Sequence, residues 1–461
     1  MAVILFFFLT YNEAFKFKID SLLSKGQYPE ALKIVEDSFR ESPDKLEFEK
    51  WRVYVLAYEG EVFKASNAYL RLYEVTGKHD PELLHQIALG IFNTDNEKLA
   101  RFLAFRLALI HDVEAEIPIA RFIKRLDNEK RPFFIENLHK IADSNVFSIV
   151  LDLAKEAKTY DEVFSISPLL SRLAITQGPD VLDTLLQSDS PYTKAIALWA
   201  LGDMMSPPKD VFDKFSQSNN TLLAMLAKIG ALKHVSKPDL SILREYLSNP
   251  EPGIRKILAF HLGYFGMDAE PLLVKLLNDP KDDVKREAAR SLYYMGSERA
   301  LTPYIQAISY IDPKKKIWGI DNIAQIADSS AASYIARGMS GTPYPLVTIH
   351  GIWALATLGG SVARSILPSF LTSNNKIIRD EAALALGYMG DTRGLIQITR
   401  LARSPNVLTR KRSLWILAKL ADKRGYKYLF DGLKDESLDV RVVSALGLWR
   451  ILNNADTVKK E

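Results

Sequence analysis

The chain contains no cysteine. Disulfides, zinc–thiolate centres, a cysteine nucleophile and lipid attachment through an N-terminal cysteine are therefore excluded. A chain without a single thiol suits an oxidising compartment. There is no phosphate-binding glycine loop, no G-x-S-x-G nucleophile elbow and no dinucleotide fingerprint. The seven histidines are scattered, none has a second histidine four residues on, and no His-Glu dipeptide occurs. No stretch rich in glycine, serine and proline divides the chain. The apolar N-terminal run Ala2–Leu9 holds eight residues, against roughly 20 for a membrane-spanning helix. These absences select no catalytic residue, no metal ligand and no cofactor.

What is present is a repeated phrase. A thirteen-residue stretch from Val284, VKREAARSLYYMG, returns from Ile378 as IRDEAALALGYMG. Aligned copies start at Thr193, Ile254, Val284, Lys315, Val347, Ile378, Thr409 and Val440, in steps of 30 to 32 residues with one double step between Thr193 and Ile254. Four places on stand Ala197, Leu258, Ala288, Gly319, Gly351, Ala382, Ser413 and Ser444, all small except Leu258. Eight places on stand Leu201, Leu262, Leu292, Ile323, Leu355, Leu386, Leu417 and Leu448. Positions 0, 4, 8 and 11 fall on one stripe of an α-helix. The small residue admits a neighbouring helix, and the larger ones fill the space between layers. Gly266, Gly296, Gly359 and Gly390 follow the stripe, where a helix takes a left-handed cap. Prolines such as Pro252, Pro313 and Pro345 fall just before the next copy. A second, shorter apolar helix fits between glycine and proline, so each unit is a helix pair.

This pattern resembles the short HEAT-like repeat found also in phycobilin lyases and in many scaffolds. The resemblance covers Ser188 to Asn454 closely and 127–187 loosely. It implies an all-α fold, an α-solenoid of stacked helix pairs. HEAT-like iron hydroxylases carry repeated His-Glu pairs as ligands, and their absence here argues against that activity.

Upstream the period changes. Gly26, Tyr28, Ala31 and Pro43 stand in LLSKGQYPEALKIVEDSFRESP, and Gly60 and Ala65 repeat the Gly26 and Ala31 positions 34 residues later. Ala100 marks a third copy. The spacing is similar to that of tetratricopeptide repeats, or TPRs. The expected organisation is an apolar segment over 1–12, TPR-like repeats over 13–126 and a HEAT-like superhelix over 127–461, together one elongated body. The apolar segment lies outside the TPR-like phrase, which favours an exported or periplasmic location over a cytoplasmic one. It would also carry any membrane association. The alternative is a strand or helix lying on the first repeat.

Net charge is +4, unevenly placed: residues 251–461 hold 30 Lys/Arg against 21 Asp/Glu. A basic column stands one place after the starting residues, at Lys194, Arg255, Lys285, Lys316, Arg379, Arg410 and Arg441, broken only by Thr348. Its expected role is a structural ladder joining each layer to an acid in a neighbouring turn. The rival is a phosphate-tracking groove, which salt would weaken steeply. An aromatic set stands six places after the start, at Trp199, Phe260, Trp353 and Trp415, with Tyr264, Tyr294 and Tyr388 ten places after. The six-place position lies about 200° from the centre of the core stripe. These residues are the candidate lining of a protein-binding groove, and lateral packing between layers is the other reading.

A periodic stack favours binding over catalysis. The leading expectation is a non-catalytic protein–protein interaction scaffold, with a cell-envelope assembly as one setting and one or more proteins as partners. A nucleic-acid-binding protein using the basic C-terminal half and a bilin-lyase-type enzyme are the alternatives.

Overall fold

A computed structural model describes residues 14–23, 25–39, 45–175 and 180–457 of the chain. Among these residues every regular element is a helix, as the periodicity predicts. The run Ala2–Leu9 lies outside the described residues. In chain order the main helices are α1 (Lys45–Tyr58), α2 (Val62–Thr76), α3 (Pro81–Leu89), α4 (Arg131–Leu138), α5 (Tyr160–Ala174), α6 (Pro191–Gly202) and α7 (Thr221–Lys233). They continue as α8 (Pro252–Leu262), α9 (Asp282–Tyr294), α10 (Pro313–Ile326), α11 (Pro345–Leu358), α12 (Lys376–Tyr388), α13 (Val407–Leu420) and α14 (Leu438–Thr457). No described helix is long and apolar enough to cross a membrane.

Local chemistry starts and stops these helices. Ser190 and Asn406 accept from Thr193 N and Thr409 N, satisfying donors that the first turn leaves free. Pro191, Pro252, Pro313 and Pro345 occupy the first helical position, where no N–H is needed. Gly296 and Gly390 adopt φ of 83° and 82° after α9 and α12, a left-handed turn that lets the chain reverse.

The stripe packs as its spacing requires. Leu201, Leu262, Leu292, Ile323, Leu355, Leu386, Leu417 and Leu448 are all fully buried. Each contributes roughly 1.5–3 kcal/mol of apolar burial. The small residue four places on has a steric cause. A Cβ on Gly319 would lie 2.6 Å from the Tyr304 carbonyl oxygen, and one on Gly351 would lie 2.7 Å from Met339 Sδ.

The double step between Thr193 and Ile254 hides a layer. Helix α7 lies there, capped by Asn220 and paired with the helix Lys209–Ser216. Counted three places after its N-cap, as Thr193, Ile254 and Thr409 stand, it starts at Leu223 and keeps a small residue as Ala227, but it has Ala231 where the other layers carry Leu or Ile. The Phe212 ring of the paired helix fills the space, so close that a Cβ on Gly230 would sit 2.5 Å from it.

The described residues form two compact units, one of those within 14–103 and 386–457, the other of those within 104–385. The first joins both ends of the sequence. Its glycines Gly26 and Gly60 turn with φ of 73° and 84°, and the alanines of the 34-residue phrase, Ala31 and Ala65, are fully buried. Its α2 and α3 pack against α14. Within this unit the N-terminal helices cover the last described helix. A layer of a stack has an apolar face that a neighbour must cover, and on α14 α2 and α3 supply the cover. Arg441, in the first turns of α14, lies 3.7 Å over the Phe63 ring and donates to Asn67 Oδ1 at 2.7 Å.

Candidate functional site

The aromatic set divides into buried and exposed members. Trp199 and Trp415 are only 2% and 3% exposed, so neither lines an open groove, contrary to expectation. In the unit 104–385 the cause is a contact between layers that are not neighbours. Helix α5 meets α8 directly: Lys256 Nζ lies 2.9 Å from Asp161 Oδ1. A Cβ on Gly253 would lie 2.4 Å from Tyr160 Cβ. Beside that contact the rings pack together. Trp199 sits 5.1 Å from Phe260, 6.1 Å from Phe164 and 4.2 Å from His261. Phe260 is at the margin of this cluster. In the other unit Lys411, one turn before Trp415 on the same face of α13, lies 4.5 Å over the Phe102 ring, so that face too is covered.

Trp353 and Tyr388 are half-buried. Trp353 Nε1 donates to Glu381 Oε2 at 2.7 Å, tying α11 to α12. Lys419 Nζ lies 4.7 Å over the Tyr388 ring and donates to its carbonyl.

Tyr264 and Tyr294 are 63% and 79% exposed. They stand at the C-terminal ends of α8 and α9. Met205, after α6, is 98% exposed, and Val235 after α7 and Met267 after α8 are also exposed. Four successive layers therefore present large apolar groups at one edge. Bonds between the layer ends hold that edge in register. Lys233 Nζ lies 2.5 Å from Asp203 Oδ1 and 5.1 Å over the Tyr264 ring. His234 Nε2 meets the Gly202 carbonyl at 3.3 Å, and Ser291 Oγ donates to Ala259 O at 2.9 Å. Tyr293 extends the edge by donating to Asp328 Oδ1 at 2.8 Å. Nothing in the sequence signalled Met205, Val235 and Met267, because they share no single place in the repeat.

Most of the basic column is engaged in bonds close to its own layer. Arg255 is bidentate to Asp279 at 2.6 and 2.9 Å and donates to the carbonyls of Asn249 and Pro250. Arg410 repeats this with Asp435 at 2.8 and 3.0 Å and the carbonyls of Ser404 and Pro405. Arg379 donates to Ser373 O and Asn374 O, Lys316 to Ile308 O and Gly338 O, and Arg441 to Asp435 O. Lys285 pairs with Asp282 at 3.3 Å. Lys194 is half-buried and has no ion pair among the described residues. Burial pulls the Asp279 carboxyl up, but the bonds from Arg255 and Lys281 N outweigh it and hold the group below the ordinary carboxylate range. Among the described residues no group of His, Asp and Glu is placed to hold a metal ion.

Residues 240–309 and 366–449 match the family model described as HEAT repeats. These two stretches are HEAT repeats. Solved structures similar to the chain are themselves helical. UNC-45 from Drosophila melanogaster is 13% identical, covering 96% of this chain and 79% of that one, with a TM-score of 0.36. The complex of CpcE and CpcF of phycocyanin lyase from Nostoc sp. PCC7120 is 15% identical, covering 55% and 95%, with a TM-score of 0.29. Human deoxyhypusine hydroxylase in complex with glycerol is 18% identical, covering 62% and 99%, with a TM-score of 0.23. At these identities and scores the likenesses bear on neither activity nor partner. No curated protein matches the chain. In the HEAT repeats the family match takes in Tyr264, Tyr294 and Arg255 together with Asp279, and in the second stretch Arg410 with Asp435.

Proposed function

We propose that the chain is a non-catalytic scaffold that binds partner proteins along the edge formed by the C-terminal ends of α6, α7, α8 and α9. One observation carries this reading. The stripe leucines of these layers are fully buried, yet Met205, Val235, Tyr264, Met267 and Tyr294 stand exposed on successive layer ends. Large apolar groups left exposed on successive layer ends, beside polar groups, mark an interaction surface. Tyrosine and methionine are favoured at such surfaces because they offer large area with a polar tip or a pliable stem. The ties through Lys233, His234 and Ser291 keep the row rigid before any partner arrives, which lowers the ordering cost of binding.

The test is capture from the native cell with immobilised full-length chain, comparing wild type with a Tyr264→Ser, Tyr294→Ser double variant. Both side chains project into solvent, so the helical circular dichroism of the variant is expected to equal that of wild type. Partners identified by mass spectrometry on wild type are expected to be lost from the variant. An unchanged partner set would remove this edge from consideration.

A further inference from the structure

A cleft of about 530 Å³ opens elsewhere in the unit 104–385, among α4, α5, α8, α9 and α10. Its size suits a few residues of extended chain rather than a folded domain. The walls are mainly ionic, and most of the ions are mutually satisfied. Lys256 pairs with Asp161 at 2.9 Å, Arg286 with Asp283 at 2.9 Å and Arg290 with Glu287 at 2.7 Å. Three cations thus neutralise three carboxylates. A fourth carboxylate, Glu136 on α4, lines the same cleft, is exposed, and forms no ion pair among the described residues.

Nothing else in the cleft offsets that charge. His139 lies beside it, but burial, with Arg172 and Lys140, lowers the proton affinity of the ring, which stays neutral at pH 7. Glu287 is almost wholly buried. Burial raises its pKa, the Glu136 charge raises it further, and Arg290 and Lys256 oppose the rise. The cleft therefore holds one carboxylate without an ion pair, Glu136, close enough to act on the paired carboxyl of Glu287. The half-buried ring of Phe133 stands on the same wall, one turn before Glu136.

We propose that this cleft receives one basic side chain, arginine in preference to lysine, from an extended segment of a partner protein. The cation would meet Glu136, and its flat or aliphatic stem would lie on Phe133. Arginine is preferred because a planar guanidinium bonds a carboxylate in two places and stacks on an aromatic face, whereas an ammonium is a compact, strongly hydrated charge. An anionic segment is disfavoured, since the three cations are already paired and Glu136 repels it. This binding is independent of the Tyr264–Tyr294 edge.

The experiment uses full-length protein and heptapeptides identical except for a central arginine, lysine, citrulline or glutamate, followed by saturation-transfer NMR at low and moderate salt. Saturation transfer is expected to the arginine peptide, less to lysine, and little to citrulline or glutamate. The substitution Glu136→Gln, at an exposed position, is expected to weaken the arginine peptide about three- to tenfold. The Tyr264→Ser, Tyr294→Ser variant is expected to bind that peptide as wild type does. Carbodiimide coupling of the lysine peptide is expected to map to Glu136. Equal signals from arginine and citrulline peptides, or an unchanged affinity in Glu136→Gln, would overturn the assignment and leave the scaffold reading untouched.

Discussion

The imidazole of His85 stacks on the indole of Trp449, with ring centroids 4.0 Å apart and planes 8° from parallel. The two residues are more than 360 positions apart in the chain, and their contact joins α3 to α14. Around it, His79 bonds Tyr69 through Nδ1 at 2.8 Å and Tyr426 through Nε2, while Tyr73 lies 4.9 Å from Phe430. The N-terminal helices thus serve as the final layer of the C-terminal repeats. A double-mutant cycle with His85→Ala and Trp449→Ala is expected to give a coupling of about 0.5–1.5 kcal/mol in urea unfolding, the range for stacked aromatic pairs. Additive effects would show that the stacked rings do not stabilise the junction.

Arg255 and Asp279 are both nearly inaccessible to water, so their ion pair is costly to break from one side. Asp279→Ala leaves the guanidinium with only the carbonyls of Asn249 and Pro250, and is expected to destabilise the protein by about 3–5 kcal/mol. The pair also carries a pH dependence with a defined sign. A carboxyl whose folded pKa is depressed stabilises the fold at pH above its unfolded value, and that stability is lost as pH falls through the folded value. The stability of wild type relative to Asp279→Asn is therefore expected to shrink below about pH 4. Denaturant titrations of both proteins between pH 7 and pH 3 would check it. A constant difference would mean that the carboxylate charge contributes nothing.

Sequence periodicity was enough to locate most layers, because each repeats the same demand for a small residue and then a large one. It passed over α7, where Ala231 stands in place of the large residue and the Phe212 ring lies against Gly230 beside it. It misjudged Trp199 for a different reason. The six-place position does leave the stripe, but whether it meets solvent depends on layers that are not adjacent. The contact of Tyr160 with Gly253 across that side is a tertiary event with no local signature. Tyr264 and Tyr294 stayed exposed because they stand at helix ends, where the neighbouring layers cover them only in part. The pairing of α3 with α14 was equally invisible, since neither helix resembles a complement of the other. Glu136 lies in the loosely matched stretch 127–187, where no repeat register singled it out.

His261 is fully enclosed between Trp199 and Phe260, with ring centroids 4.2 and 5.5 Å away. Burial, reinforced by the Lys233 charge, lowers its pKa well below the ordinary histidine value. Its proton is therefore taken up on unfolding and refused by the folded state. Stability is present above about pH 6.5 and declines as pH falls toward the depressed folded value, at about 1.4 kcal/mol for each pH unit contributed by this one group. Replacing it by a ring of similar size that cannot ionise, His261→Phe, removes that contribution. The variant is expected to show a flatter loss of stability between pH 6.5 and pH 5. The slope does not vanish, because burial shifts His79 and His139 in the same direction. Urea midpoints at pH 7.5, 6 and 5 for wild type and variant decide the matter. Parallel curves would mean that His261 binds its proton equally in both states, and hence that the Trp199 cluster admits water.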